Sequence, residues 1–174
     1  MNFGPANQIT LLRAVLVAGL ASLAGQPATP AVAWKVVSIA IVAALLDGVD
    51  GWVARRTGTV SAFGTRFDME TDAALILVLA ILAWQYGKAG PWVLLSGFLR
   101  YVFVAAGWLW PWMRSPLAST LRAKIICVLQ IATLVVAMAP TIAPPSSSLI
   151  AAVGLLALCY SFLVDTLRLW RQGA

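Results

Sequence analysis

The chain has 174 residues, of which 61% are apolar and 10% charged, against roughly 45–50% and 25% in ordinary soluble domains. That balance excludes a water-soluble globule. With no histidine and only two cysteines, Cys127 and Cys159, the chain also excludes His-based triads, zinc fingers, His-ligated haem and a disulfide framework. Chemistry is left to carboxylates, hydroxyls, Arg and Lys. The formal charge of +6 points to the anionic head groups of a lipid bilayer rather than nucleic acid, because no basic stretch is interleaved with aromatic residues.

A helix needs about 20 mostly apolar residues to cross the hydrocarbon core of a membrane. Six such stretches follow one another, near residues 9–25, 31–55, 62–86, 92–110, 117–139 and 148–170. Gly25-Gln26-Pro27, Pro30, Gly87-Lys88-Ala89-Gly90-Pro91, Pro111, Pro140 and the Pro144-Pro145 pair supply the breaks. The pattern predicts an all-α integral membrane protein of six transmembrane helices, forming a single domain over residues 1–174. Six spans put both termini on one side, which collects Arg13, Arg55, Arg56, Arg66, Arg114, Arg122, Lys124, Arg168 and Arg171, while Lys88 and Lys35 fall on the other. The positive-inside rule makes the first side, with both termini, cytoplasmic. Arg13 amid the first apolar stretch and the lack of a small-x-small site argue against a cleavable signal peptide. Trp34, Trp84, Trp92, Trp108, Trp110, Trp112 and Trp170 fall near span ends, where an amphipathic ring sits at the head groups.

Five of the six acidic residues, Asp47, Asp50, Asp68, Glu70 and Asp72, lie between positions 47 and 72, at the end of the second span and the start of the third. Carboxylates in such a setting are costly without compensating charge, and divalent metal is the obvious source of it. Asp47 and Asp50 share one helix face, and Asp68 and Asp72 share another. Two antiparallel helices joined by a short turn bring both pairs together. Oxygen ligands without His or Cys select Mg²⁺, Mn²⁺ or Ca²⁺, and paired ions about 3.5–4 Å apart are the usual clamp for phosphoryl transfer. Gly51 and Gly64 leave room beside the acids. Arg55, with Arg56 next to it, can fork onto phosphate oxygens. Glu70, on a different face, reads as a solvated or supporting group.

The run from Asp47 to Asp72 reads D-x2-D-G-x2-A-R-x8-G-x3-D-x3-D, and at all eight fixed positions it resembles the signature of the CDP-alcohol phosphotransferase family. Asn7-Gln8-Ile9-Thr10-Leu11-Leu12-Arg13 is similar to the family's N-terminal P-N-x2-T-x2-R element, with Pro5 displaced by one residue. The resemblance implies an enzyme of phospholipid biosynthesis in a bacterial-type inner membrane, with its active site on the cytoplasmic side. It would move a phosphoalcohol group from a CDP-activated lipid such as CDP-diacylglycerol to the hydroxyl of a small polar alcohol, phosphorylated alcohols included, and release CMP. It implies two ions, Mg²⁺ or Mn²⁺, held by Asp47, Asp50, Asp68 and Asp72, with Asp72 also taking the acceptor's proton. Gly51, Arg55 and Ser61 match positions that contact the nucleotide or its diphosphate, and Asn7 and Thr10 match further donor contacts. A homodimer is implied as well.

For the acceptor, Arg100 lies at mid-span, where a cation should face a polar cavity or pair with the acidic cluster. Arg122-Ala123-Lys124 with Gln130 resembles the Gly-Lys-x-Lys-Thr…Gln region of members that use glycerophosphate, but Ile126 and Cys127 replace the second lysine and the threonine. Arg100, Arg122 and Lys124 together suit an anionic acceptor. Asp165 and Arg168, three apart, read as a local ion pair, and the two cysteines as small buried hydrophobes. Two rival readings use the same acids. One is a membrane cation channel or transporter, disfavoured by carboxylates gathered at one rim and by the lack of an inverted repeat. The other is a membrane prenyltransferase-type diphosphate enzyme, disfavoured by the single compact signature.

Overall fold

A computed structural model describes residues 5–57, 61–110 and 121–173. Among these there is no strand. The helices are α1 (Pro5–Ala21), α2 (Pro30–Thr57), α3 (Ala62–Gln85), α4 (Leu95–Leu109, preceded by a 3-10 turn at Pro91–Leu94), α5 (Leu121–Met138) and α6 (Ser146–Gly173). Trp112, Arg114 and the turn between α2 and α3 lie outside the described residues.

Local chemistry sets the helix ends. Pro30 opens α2, where its missing N–H costs nothing, and the Thr29 hydroxyl accepts from the Val32 amide at 3.3 Å. Ser61 caps α3 by accepting from the Gly64 amide at 3.0 Å. At the other end of α3, Gly87 adopts φ 64°, which favours glycine. Its amide donates to the Trp84 carbonyl at 3.0 Å, and that of Lys88 to the Ala83 carbonyl at 2.9 Å, closing the last turn of the helix with a reversed residue.

Among the described residues, four segments are long and apolar enough to cross a membrane: Pro30–Gly51, Pro91–Leu109, Leu121–Met138 and Ser146–Arg171. Each of the six expected stretches holds a helix, but α1 is short, at 17 residues, and the first half of α3 carries Arg66, Asp68, Glu70 and Asp72. Both helices that fall short of a plain span by length or by composition bring polar groups to the site, as does the last part of α2 with Asp47 and Asp50. Leu45, Val102, Trp108, Leu121, Leu149 and Leu156 are among the exposed apolar side chains, a surface matched to lipid rather than water. Trp34, Trp84, Trp108, Trp110 and Trp170 are exposed as well, at helix ends.

α3 is central, packing against α1, α4 and α5, while α1 pairs with α2 and α5 with α6. The tightest packing collects at one end. There Leu20 of α1, Val36 of α2, Leu79, Leu82 and Ala83 of α3, Val93, and Leu134 and Met138 of α5 are fully enclosed. Side-chain links to the connecting loops fasten the same end. Gln85 accepts from the Gly25 amide at 3.2 Å, and the Tyr86 hydroxyl donates to the Leu23 carbonyl at 3.4 Å. Lys88 Nζ donates to the carbonyls of Ala139 at 2.8 Å and Ile142 at 2.5 Å, and its own carbonyl accepts from Ser147 Oγ at 2.7 Å. A cation is favourable beside the carbonyl-rich end of α5, although desolvation lowers the Lys88 pKa. The acidic residues lie at the opposite end of α2 and α3.

Helices α3 and α4 touch through Gly97, where an added Cβ would lie 2.5 Å from Leu77 Cδ1 and 2.7 Å from its Cα. Backbone cannot give way as a side-chain tip does. Gly97→Ala is therefore expected to destabilise the protein by about 1–3 kcal/mol, the usual cost of overpacking, measured as a lowered Tm in detergent.

Candidate active site

The acidic cluster is built where α2 ends and α3 begins, and α1 crosses both. Asp47 and Asp50 project from the last turns of α2, and Asp68 and Asp72 from the first half of α3. Oxygens of Asp47, Asp50 and Asp68 lie within 4.8 Å of one another. That is close enough for three hard donors to close on one divalent cation at bond lengths of about 2.0–2.6 Å. The donor set fits such an ion. Asp72 joins the other three through a different group.

That group is Arg13. Its side chain is 1% exposed, and its guanidinium sits in the middle of the four carboxylates. Nη1 donates to Asp50 Oδ2 at 2.9 Å and Asp68 Oδ1 at 2.5 Å. Nη2 contacts Asp47 Oδ1 at 2.9 Å and donates to Asp72 Oδ1. The planar fork of arginine suits this task because each terminal nitrogen carries two N–H donors. In sequence Arg13 stands as a charge on one side of the membrane, as a mark against a cleavable signal peptide and as part of an N-terminal motif. Its place at the centre was missed. Two signals mark a polar face on α1 without naming its partners: an arginine within an apolar stretch, and Asn7, Thr10 and Arg13 at intervals of three.

The structure bears that face out as buried, with Asn7 9% and Thr10 3% exposed. The Thr10 hydroxyl donates to Asp50 Oδ2 at 3.0 Å, the same oxygen that Arg13 uses. Asn7 packs on Gly64, where an added Cβ would lie 2.7 Å from Asn7 Oδ1 and 3.1 Å from Ser61 Oγ. The second glycine of the signature thus makes room for a residue of the N-terminal motif. Ser61 is occupied in capping α3 and is exposed. Gly51 follows Asp50 in the last turns of α2, half-buried, and Arg55 lies on the next turn, its side chain outside the described set. From α5, Cys127 brings its Sγ to 3.8 Å from Asp72 Oδ2, so a thiol expected to be plain packing borders the cluster.

The three basic residues assigned to an acceptor are not brought together by direct contact. Arg100 Nη2 donates to Glu70 Oε1 at 2.5 Å, and that pair is partly exposed. Exposed pairs of this kind contribute little and exchange readily. Arg122 donates to Asp165 Oδ1 on α6 and, at 3.5 Å, to the Ser161 carbonyl. Asp165 is buried, and its partner is Arg122 rather than the neighbouring Arg168 suggested by spacing. Lys124 is exposed on α5. Gln130 is fully buried with neither amide atom hydrogen-bonded, and it packs where α5 meets Gly154 of α6.

Comparison with known proteins matches residues 3–164 to the family described as CDP-alcohol phosphatidyltransferase. A CDP-diacylglycerol–glycerol-3-phosphate 3-phosphatidyltransferase of Cereibacter sphaeroides is 31% identical over 108 residues, which is 60% of this chain and 49% of that protein. The matched part thus spans about half the length of the relative. No solved structure matches the chain.

The Arg122–Asp165 pair can be separated from ligand binding by stability alone. Removing Arg122 leaves a buried carboxylate without its partner, so Arg122→Met is expected to lose about 3 kcal/mol of stability. Combining it with Asp165→Leu should restore most of that loss, read as Tm in a double-mutant comparison.

Proposed function

This chain belongs to the CDP-alcohol phosphatidyltransferase family, and we propose that it transfers a phosphatidyl group from CDP-diacylglycerol, or a similar CDP-activated lipid, to the hydroxyl of a small anionic alcohol. The observation that carries this reading is the convergence of all four signature aspartates on one point, with Asn7 and Thr10 of the N-terminal motif beside them. Family members are generally dependent on divalent metal. In this reading Asp47, Asp50, Asp68 and Asp72 would hold two ions, Mg²⁺ or Mn²⁺, which would supply positive charge to the diphosphate and to the departing phosphate oxygen.

The remaining steps belong to the chain's own residues. Asn7, Thr10, Gly51, Arg55 and Ser61 are assigned to the donor: the polar side chains orient its nucleotide and phosphates, and Gly51 leaves space beside the acids. Asp72 accepts the proton of the acceptor hydroxyl. The hydroxyl oxygen bonds to the phosphorus that carries diacylglycerol, the P–O bond of the pyrophosphate bridge breaks, and its electron pair leaves with CMP. The lipid donor arrives laterally from the bilayer and the soluble acceptor from the cytoplasm, in a cell membrane with both termini and the active site on the cytoplasmic face. A homodimer accompanies this reading by family likeness alone.

Glycerol 3-phosphate is the first acceptor to test, since the relative from Cereibacter sphaeroides carries it in its name. Lys124 is the cation assigned to the acceptor's negative charge. Arg100 joins it by exchanging its exposed bond to Glu70, and Arg122 borders the same stretch of α5 while anchored to Asp165. The departure at Ile126 and Cys127 from the glycerophosphate pattern makes other phosphorylated alcohols part of the same test.

Purified protein supplied with CDP-diacylglycerol and Mn²⁺ is expected to release CMP only when a suitable alcohol is present. Absence of CMP release across a panel of alcohols and phosphoalcohols would overturn the reading. Asp72→Asn should still insert in the membrane but lose about 100-fold or more in turnover, as expected for removal of a general base. Lys124→Ala should raise the acceptor KM by about tenfold, the worth of one charge-assisted hydrogen bond, and leave the donor KM unchanged.

A further inference from the structure

The proposed reaction leaves Arg13 without a task, although it is the most deeply buried charge in the site. Its two terminal nitrogens engage one oxygen each of Asp47, Asp50, Asp68 and Asp72. A divalent ion held by the same acids needs oxygens of these carboxylates at about 2.0–2.6 Å and carries charge of the same sign. Guanidinium and metal therefore contend for one set of ligands. One positive charge against four negative ones still leaves an excess that draws in a divalent cation, so the competition is one that metal can win.

We propose that Arg13 is the resident counter-ion of the acidic tetrad and competes with divalent metal for its oxygens, so that metal enters only as the guanidinium withdraws. The inference rests on the reading of the tetrad as a metal site. Two details of the side chain support it. The Nε of Arg13 is buried without a hydrogen-bond partner, so the side chain is fastened only at its tip, by the bonds that metal would replace. Asp50 Oδ2 accepts from Thr10 as well as from Arg13, so one carboxylate keeps a neutral anchor when the guanidinium leaves. Arg13 thus acts as a positioning residue. It holds the four acids in register without metal and sets metal affinity below what four free carboxylates would give.

The test is direct metal binding by the full chain in detergent, with Mn²⁺ titrated and free ion read by electron paramagnetic resonance, alongside Tm with and without Mn²⁺. Arg13→Gln removes the competitor. It should bind Mn²⁺ about tenfold more tightly than the wild type, and its Tm should fall without metal and recover more on adding it. Arg13→Lys keeps a charge that supports folding but lacks the fork that reaches all four acids, so its Mn²⁺ affinity should lie between the other two. Mn²⁺ binding by Arg13→Lys that is equal to or weaker than that of the wild type overturns the inference, including in the case where Arg13→Gln does not fold. CMP release plays no part in these readouts. A chain that obeys this order but transfers nothing refutes the proposed reaction alone, and one that transfers but breaks the order refutes only the competition.

Discussion

One guanidinium facing four carboxylates is the constraint on which the site end of this protein depends. Carboxylates at the end of α2 and the start of α3 repel one another, and partial burial weakens the screening that water gives them. Arg13 answers that repulsion from α1, and in doing so fixes how α1 crosses the other two helices. Because Asn7 and Thr10 share its face, the crossing also sets where two further polar groups stand. The close fit of Asn7 on Gly64 follows from the same approach. Charge pairing therefore does at this end what apolar packing does at the other.

The division between the two ends is itself physical. Away from the acids, small and branched side chains such as Val36, Ala40, Leu79, Ala83, Leu134 and Ala137 are enclosed, and dispersion between close helices holds them, since lipid gives no hydrophobic drive for helices to associate. Toward the acids, Asp47, Asp68 and Asp72 are only half-buried. The proposed transfer needs that openness.

Much of this was legible in the residues alone. The six helices follow from apolar runs and from Pro and Gly breaks, which act over short distances. Helical spacing puts Asp47 with Asp50 and Asp68 with Asp72, whereas the two pairs meet on Arg13 of α1. What escaped were partners set by crossings of distant helices. Arg13 lies far from Asp68 and Asp72 in sequence, and nothing local says that α1 passes over them. Asp165 had a plausible partner three residues away in Arg168, yet the packing of α5 on α6 hands it to Arg122. Lys88 was placed only by its side of the membrane, and its bonds to two carbonyls beyond the end of α5 are set by packing. Spacing along one helix is readable, but the choice among several cations for one acid is a tertiary matter.

The knot of hydrogen bonds around Gln85, Tyr86 and Lys88 has a mechanical corollary. It ties three inter-helix connections together at the rim farthest from the acids, so the bundle is clamped there much as tongs are joined at their pivot. Helices so joined separate most easily at their free tips. The acidic end has no such set of ties between connections among the described residues, so the fastening of the bundle is uneven from one end to the other.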